Sequence, residues 1–399
     1  MIKHLLKLIW NRKRANALLI TELFLSFMVL FGLGSLGAVL GLAMRQPPGF
    51  AYEDVWELRL TTNNDPLPQN PTLRRLLPQL RAVPGVVDVS RSSFSTPFSA
   101  YSMNSNVRAG NRPVVEGNEV QTDDHFGPLL RLELLEGRWF DARDDASAVP
   151  PVIINREMRE ALFPDGPALG QLVRSSHSSN PKEMNEGRVV GVTGSYRSGG
   201  DLGAPAPFVF VRTVLPDSSD TMFSHTLLVR VRPGSGAALE EQLVRTVAAE
   251  TKTWSTSAIS LTDSRAAGLE TALAPVFAVG LVAAFLFLNV ALGLFGALWQ
   301  AIGQRRAEIG LRRAVGATGP GISRQFVVET LALTTLAVVP GLLLAAQLPL
   351  LGIFGQPAAV YGVGMALAVA LVYGFAVVCA VQPSWQAARI RPAVALREE

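Results

Sequence analysis

The chain has 399 residues, 49% of them hydrophobic and 17% charged, with a net charge of +4. So apolar a chain is no ordinary soluble protein, and its polar middle is not that of a fully embedded one, so a membrane part joined to a water-exposed part is predicted. The single cysteine, Cys379, excludes an intrachain disulfide and a cysteine-based metal site. Residues 1–16 set Leu5, Leu6, Leu8, Ile9 and Trp10 among Lys3, Lys7, Arg12, Lys13 and Arg14, the pattern of an amphipathic elbow lying in the inner interface. The run from Leu23 to Met44 carries no charge and is long enough to cross a bilayer. The run is too long for a signal peptide and no convincing A-x-A site follows it before Pro47, so it reads as a retained first span over 17–44.

Residues 45–270 have the composition of a soluble α/β domain. VWELRL (Val55 to Leu60) alternates as a strand does. Pro71 to Ala82 has helical spacing at Leu73, Leu76, Leu77 and Leu80, and Val86 to Ser90 is a second strand. Thr226 to Val231, Ala237 to Glu250 and Ala258 to Leu261 repeat the strand, helix, strand order. The two outer stretches, 45–91 and 226–270, therefore read as a split βαβ layer. Residues 92–225 hold short strands (PVIIN, RVVGV, FVFV), a helix near Asn155 to Phe163 and many Gly, Pro and Ser turns, as an inserted β-rich lobe would.

Thr271 to Gln304 has no charged residue, and the second span is assigned to 271–302. Such a helix would reach roughly 50 Å against a hydrocarbon core of roughly 30 Å, so its outer end can project and couple to the soluble domain. Pro275 is expected to kink or start it. Thr330 to Ala388 is again free of acidic and basic residues. It holds a third span at 322–353, kinked at Pro340, a tight turn near Gly355 to Ala358, and a fourth span at 359–382 before a tail at 383–399. The basic clusters at Lys3–Arg14, Arg305–Arg324 and Arg389–Arg397 all fall on one side of this plan. That puts both termini in the cytoplasm and the large domain outside.

Between the second and third spans, 303–321, lies RRAEIGLRRAVGAT (Arg305 to Thr318). Ala307, Leu311, Ala314 and Val315 make one apolar helix face, and Arg305, Arg306, Glu308, Arg312 and Arg313 fall on the other. Two readings are open: a polar-faced helix that takes a push from a soluble partner, or an ordinary positive-inside loop. No G-x-x-x-x-G-K-[ST] occurs, so ATP hydrolysis is expected from a partner chain. GLGSLG (Gly32 to Gly37) matches a dinucleotide fingerprint by letter only, since it lies in an apolar span with no strand before it. Gly37 and Gly41, spaced G-x-x-x-G, are better read as a packing face for another helix. Asn289, inside the second span, bonds either across a dimer interface or to a local carbonyl. His4, His125, His177 and His225 have no ligand spacing, Asp123, Asp124, Asp141, Asp144 and Asp145 read as turn chemistry, and no G-x-S-x-G is present.

The arrangement resembles the FtsX/MacB-like family of ABC-type permeases. The resemblance rests on RRAEIGLRRAVGAT with ISRQFVVET (Ile322 to Thr330), GRWFDARDDASAVPPVIINREMREALFP (Gly137 to Pro164), VVGVTGSYRSGG (Val189 to Gly200), PAVALREE (Pro392 to Glu399) and the four-span plan, which together cover nearly the whole chain. It implies a bacterial inner-membrane protein that dimerises, with itself or with a related permease, and sits on a pair of ATPase subunits that bind ATP and Mg. Closure of the ATPases would move the spans and, through them, the periplasmic domain. Arg305, Arg306, Glu308, Ile309, Arg312 and Arg313, with Gly310 and Gly316 in the same segment, would then form the coupling helix, Ile309 being a docking knob or resting on lipid headgroups. A periplasmic adaptor and an outer-membrane channel are further expected partners for an exporter, and nucleic acid is not. The size of the two-part domain leans toward efflux or export. A lipoprotein-releasing permease, drawing cargo from the lipid of the outer leaflet, and a non-transporting signal transducer are the alternatives.

Overall fold

The structure, a computed structural model, describes residues 13–63, 69–93, 95–99, 102–176, 185–213, 226–251, 253–353 and 356–388. Most of the predicted elbow, the turn residue Gly355, the tail beyond 388 and three of the histidines, His4, His177 and His225, lie outside the described residues. The chain divides into two compact units, one of residues 1–42 and 272–399 and the other of residues 43–271.

Helix α1 (Lys13–Ala43) leads into the second unit. There β1 (Val55–Thr61), α2 (Gln69–Ala82) and β2 (Val86–Ser93) form a first β-α-β. Strands β3 (Met103–Arg108), β4 (Val115–Thr122), β5 (Leu134–Gly137), β6 (Pro151–Asn155), β7 (Leu172–Ser176), β8 (Asn185–Thr193) and β9 (Phe208–Arg212) follow, with short helices α3 (Phe126–Leu130) and α4 (Arg156–Leu162) between them. Then β10 (Thr226–Val231), α5 (Ala237–Thr251) and β11 (Ser255–Ser260) complete a second β-α-β.

The outer strands pair antiparallel in the order β11-β1-β10-β2, so each β-α-β half contributes one inner and one edge strand of this layer, as a split βαβ requires. The leucine spacing of α2 is what docks it: Leu73, Leu76, Leu77 and Leu80 meet Leu239, Leu243 and Val247 of α5 over Leu58, Leu60, Val89, Leu227 and Val229 of the sheet. Each such side chain contributes about 1.5–3 kcal/mol by leaving water. Arg75 and Glu250, 2.6 Å apart, tie the exposed edges of the two helices.

Strand β2 passes the sheet on to β4 through Ser92↔Thr122 and Ser93↔Gln121. From there β4-β3-β7-β8-β6-β9 closes on itself, because β9 also runs parallel beside β4. Side chains alternate between two cores. Val152, Ile154 and Val209 join Val107, Val173 and Val189, with Met158 and Leu162 of α4. Ile153, Phe208 and Phe210 face the other way, into an aromatic cluster with Phe50, Phe126 and Tyr196. This is why PVIIN is apolar at four of five positions: the strand is buried on both faces.

Asp88 on β2 lies 3.0 Å from His125 Nδ1 and 3.4 Å from Arg81. The hydrogen bond to Asp88 holds the His125 imidazole above its ordinary value, against partial burial and the charge of Arg81. A raised value in the folded state stabilises fully below the ordinary value of 6.5 and is lost as pH climbs through the folded-state value. His125→Gln is therefore expected to lower Tm at pH 6 by the equivalent of less than about 1 kcal/mol, the pair being half exposed, and to match wild type at pH 9. A Tm difference that does not depend on pH would refute the pairing.

After β11 the chain runs through α6 (Leu261–Gln304), α7 (Arg306–Ala314), α8 (Gly319–Ala345), α9 (Gln347–Leu350) and α10 (Ala358–Ala388). Four helical stretches among the described residues are long and apolar enough to cross a membrane: Ala17–Ala43, Leu261–Gln304, Gly319–Leu350 and Ala358–Gln386. Helix α6 starts ten residues before the expected boundary at 271. Ser260 and Asp263 form its cap, Asp263 N–H donating to Ser260 Oγ (2.9 Å) and Ser260 Oγ–H to Asp263 Oδ2 (2.7 Å). Pro275 therefore lies inside the helix and does not start it. At 44 residues α6 is about 66 Å long. Helix α10 likewise continues to Ala388, past the predicted end at 382.

In the first unit α1 touches all three other long helices, and glycines let it approach. A Cβ on Gly341 of α8 would stand 2.5 Å from the Phe27 ring, and one on Gly364 of α10 would stand 2.8 Å from Ser35 N and 3.0 Å from Phe31 O. Gly364→Ala is expected to lower stability by about 1–3 kcal/mol, since the clash is with backbone that can only move as a helix. Gly37→Ala should leave the isolated chain unchanged, because a Cβ at Gly37 or Gly41 would meet nothing within 4 Å. Thermal unfolding of the full chain in detergent separates the two.

Candidate functional site

The short helix α7 forms because Arg305 to Ala314 combines strong helix formers with a Glu308–Arg312 pair four residues apart at 2.5 Å. It ends where Gly316 takes φ +101 and Ala317 N–H closes back on Arg312 O at 2.9 Å, a left-handed stop suited to glycine. Two contacts fix how the helix is rolled. Ile309 is 4% exposed and sits among Leu298, Ile322, Phe326 and Ala380. Arg305 donates to both oxygens of Glu329 on α8, at 3.1 and 3.3 Å. Gln325 extends the link, donating to Glu329 (3.0 Å) and accepting from Arg312 (3.0 Å).

This roll corrects the sequence reading in two places. Ile309 is not a knob on the exposed polar face; it is the core contact of the helix. Leu311 and Val315, read from the sequence as the apolar face of the helix, are 56% and 82% exposed. A nine-residue helix carries two competing apolar stripes, and Phe326 with Glu329 selects the one containing Ile309. Gly310 is buried with Ile309, while Arg306, Glu308, Arg312 and Gly316 are exposed and Arg313 is half-buried. The outward surface is thus two large aliphatic side chains framed by charge.

Within the bundle Asn289 donates from Nδ2 to Phe285 O at 2.8 Å, the local-carbonyl alternative. A Cβ on Gly37 or Gly41 would meet none of the described residues within 4 Å, and the close glycine contact of that run is made by Gly34, whose Cβ would lie 3.2 Å from Gly364 Cα. Sequence reasoning passed over Glu22, about two and a half turns inside α1 and ahead of the charge-free run. Among the described residues its Oε2 is buried without a hydrogen-bond partner, close to Gly293 of α6, and Ser26 Oγ one turn later is likewise unpartnered. A lone carboxylate in an apolar span is the signal that marks it.

Sequence reasoning also missed a junction of arginines in the second unit. Arg197, 2% exposed, follows β8. Its guanidinium donates to the carbonyls of Gln46 (2.8 Å), Ala43 (3.3 Å), Gly203 (2.6 Å) and Asp201 (3.0 Å). Burial pushes it below the ordinary arginine value, partly offset by Asp201. The Asp201 carboxylate in turn accepts from Arg265 Nε in the second turn of α6, and Arg265 also donates to Tyr52 Oη (2.8 Å) and lies 5.0 Å from the Tyr52 ring centre. Gly200, at φ +64, allows the turn, since a side chain there would enter the Phe98 ring. One loop, 197–203, therefore holds both the segment leaving α1 and the start of α6. The signal in the sequence is an Arg and an Asp four residues apart in a glycine-rich loop after a buried strand.

Among the described residues no group of His, Cys, Asp and Glu is placed to hold a metal ion. Two families match the chain: "MacB-like periplasmic core domain" over residues 17–246 and "FtsX-like permease C-terminal" over residues 280–392. The macrolide export ATP-binding/permease protein MacB 1/2 of Paracoccus denitrificans is 26% identical over 229 residues, covering 56% of this chain and 32% of that protein. The pyoverdine export ATP-binding/permease protein PvdT of Pseudomonas syringae pv. syringae is 25% identical over 346 residues, 81% of this chain and 50% of that protein. The uncharacterized ABC transporter permease YvrN of Bacillus subtilis is 26% identical over 300 residues, 69% of each chain. The chain spans about a third to a half of the length of the ATP-binding/permease relatives it matches.

Proposed function

The chain belongs to the family with a MacB-like periplasmic core domain followed by an FtsX-like permease domain, and from that membership we propose that it is the permease subunit of an ATP-driven complex of the mechanotransmission class. Two permeases, identical or related, sit on two ATPase subunits that bind ATP and Mg. Helix α7 and both termini lie on the cytoplasmic side, where the arginine-rich segments belong. Residues 43–271 lie on the other side. The observation that carries the reading is the pinned helix α7, which is held by Ile309 and Arg305 yet turns Leu311 and Val315 outward among Arg306, Glu308 and Arg312. Apolar side chains ringed by charge are the composition of a docking surface.

In this reading nucleotide-driven motion enters at α7, passes to α8 through the Arg305–Glu329 pair, and reaches residues 43–271 through the spans. The size and two-part build of that domain favour export, as do the names of the relatives, with a periplasmic adaptor and an outer-membrane channel as the partners that would complete the path. The experiment is co-expression with a candidate ABC ATPase subunit from the same genome, extraction in mild detergent, and measurement of stoichiometry and ATP turnover against a Walker-motif variant of the partner. Two permeases with two ATPases and stimulated turnover is the expected result. A chain that binds no ATPase would overturn the assignment.

A further inference from the structure

Within residues 43–271 a cavity of about 590 Å³ is walled by Gln46, Arg131, Glu133, Arg156, Glu157 and Arg197, among others. Its volume falls in the range of small-ligand sites, roughly 300–1,000 Å³. The wall is built: Arg197 is buried and spends its donors on carbonyls, and Glu157 has both oxygens engaged, one by Asn155 Nδ2 at 2.5 Å and the other by Ser195 Oγ. Arg131 and Arg156 are exposed, and neither guanidinium forms an ion pair among the described residues. Glu133, with Oε2 over Gly194, is the one carboxylate of the wall with no hydrogen bond or ion pair among the described residues. The cavity therefore presents two available guanidinium forks, a third buried positive charge and one opposed carboxylate.

Chain connectivity says what can reach it. Gln46 follows the last residue of α1 by three positions, and three residues extend at most about 10 Å. That is of the same order as the headgroup layer of one leaflet, roughly 5–8 Å beyond the hydrocarbon core. We propose that this cavity binds the phosphate of a phospholipid headgroup from the leaflet into which α1 emerges, with Arg131 and Arg156 on the phosphate and Glu133 on the ammonium of an ethanolamine. Guanidinium forks match phosphate oxygens two at a time, and a carboxylate opposite them favours a zwitterionic headgroup over a purely anionic one. The inference is independent of which ATPase or cargo the protein serves.

The test uses the full chain, delipidated in detergent, with three probes: short-chain phosphatidylethanolamine, short-chain phosphatidylglycerol and inorganic phosphate. Binding is read as the midpoint of the Tm increase, and retained lipid by native mass spectrometry before delipidation. Expected are a saturable Tm increase with phosphatidylethanolamine, a midpoint weakened at least about tenfold in Arg131→Ser/Arg156→Ser, and loss of the preference over phosphatidylglycerol in Glu133→Gln. Both arginines are exposed, so the double variant should keep the wild-type Tm without probe. If inorganic phosphate alone gives the whole increase at the same midpoint, the site takes a free anion and the lipid assignment falls. Equal shifts in wild type and double variant, or no shift and no retained lipid, would overturn the site itself.

Discussion

Leu311→Asp combined with Val315→Asp is expected to reduce permease-stimulated ATP turnover at least about tenfold while leaving the chain folded and inserted. The two side chains are 56% and 82% exposed, so carboxylates there cost the isolated protein little. In a docked complex the same positions would be desolvated. Burying aspartate in place of an apolar anchor typically costs 2 kcal/mol or more, and each 1.4 kcal/mol is tenfold in affinity. Ile309→Asp makes the necessary contrast. It places a carboxylate among Leu298, Ile322, Phe326 and Ala380, so it should lower Tm as well as turnover. A combined Glu308→Arg/Ile309→Asp variant would confound the two effects. Wild-type turnover from Leu311→Asp/Val315→Asp at saturating ATPase would mean that α7 does not dock.

That contrast reflects what was and was not legible in the sequence. The outer layer was legible because its signals are local: VWELRL alternates, TLLVRV is a short apolar run, and the leucines of α2 recur on one face. The closed ring was only partly legible. PVIIN, RVVGV and FVFV announce β6, β8 and β9, but MNSNVR, VEGNEVQT and LVRSS carry few apolar residues. Their place is fixed by pairing with distant strands, such as Asn118↔Phe208, and no window of neighbours contains that information. The early start of α6 was written in Ser260 and Asp263, a cap that an eye fixed on the apolar run passes over. The roll of α7 was not written locally at all, since Glu329 and Phe326 decide it from the next helix.

Asp201→Ala is expected to sever the second unit from nucleotide-driven motion without abolishing ATP turnover. Its carboxylate, 5% exposed, is the partner of Arg265 near the start of α6, and its loop supplies two of the carbonyls that hold Arg197. Removing one partner of a buried pair costs about 3–5 kcal/mol; with Arg265 a third exposed to water, about 2 kcal/mol is the better expectation here. Asp201→Asn should recover part of the stability, because the amide oxygen still accepts from Arg265, but less of the tie, which is charge-assisted. The discriminating measurement is amide hydrogen exchange across residues 43–271, with and without ATP, in the assembled complex. In wild type, nucleotide should alter exchange in loop 197–203 and the strands beyond it. In Asp201→Ala the loop should exchange faster in both conditions and the nucleotide response of the strands should vanish, with ATP turnover retained. If the variant is less stable but its strands still respond to ATP as in wild type, the junction is a brace for the fold, and the path from the spans to residues 43–271 runs elsewhere. The prediction depends on one physical point. A buried guanidinium bonded to four carbonyls has no second arrangement of comparable energy, so motion at either helix end must move the loop as a body.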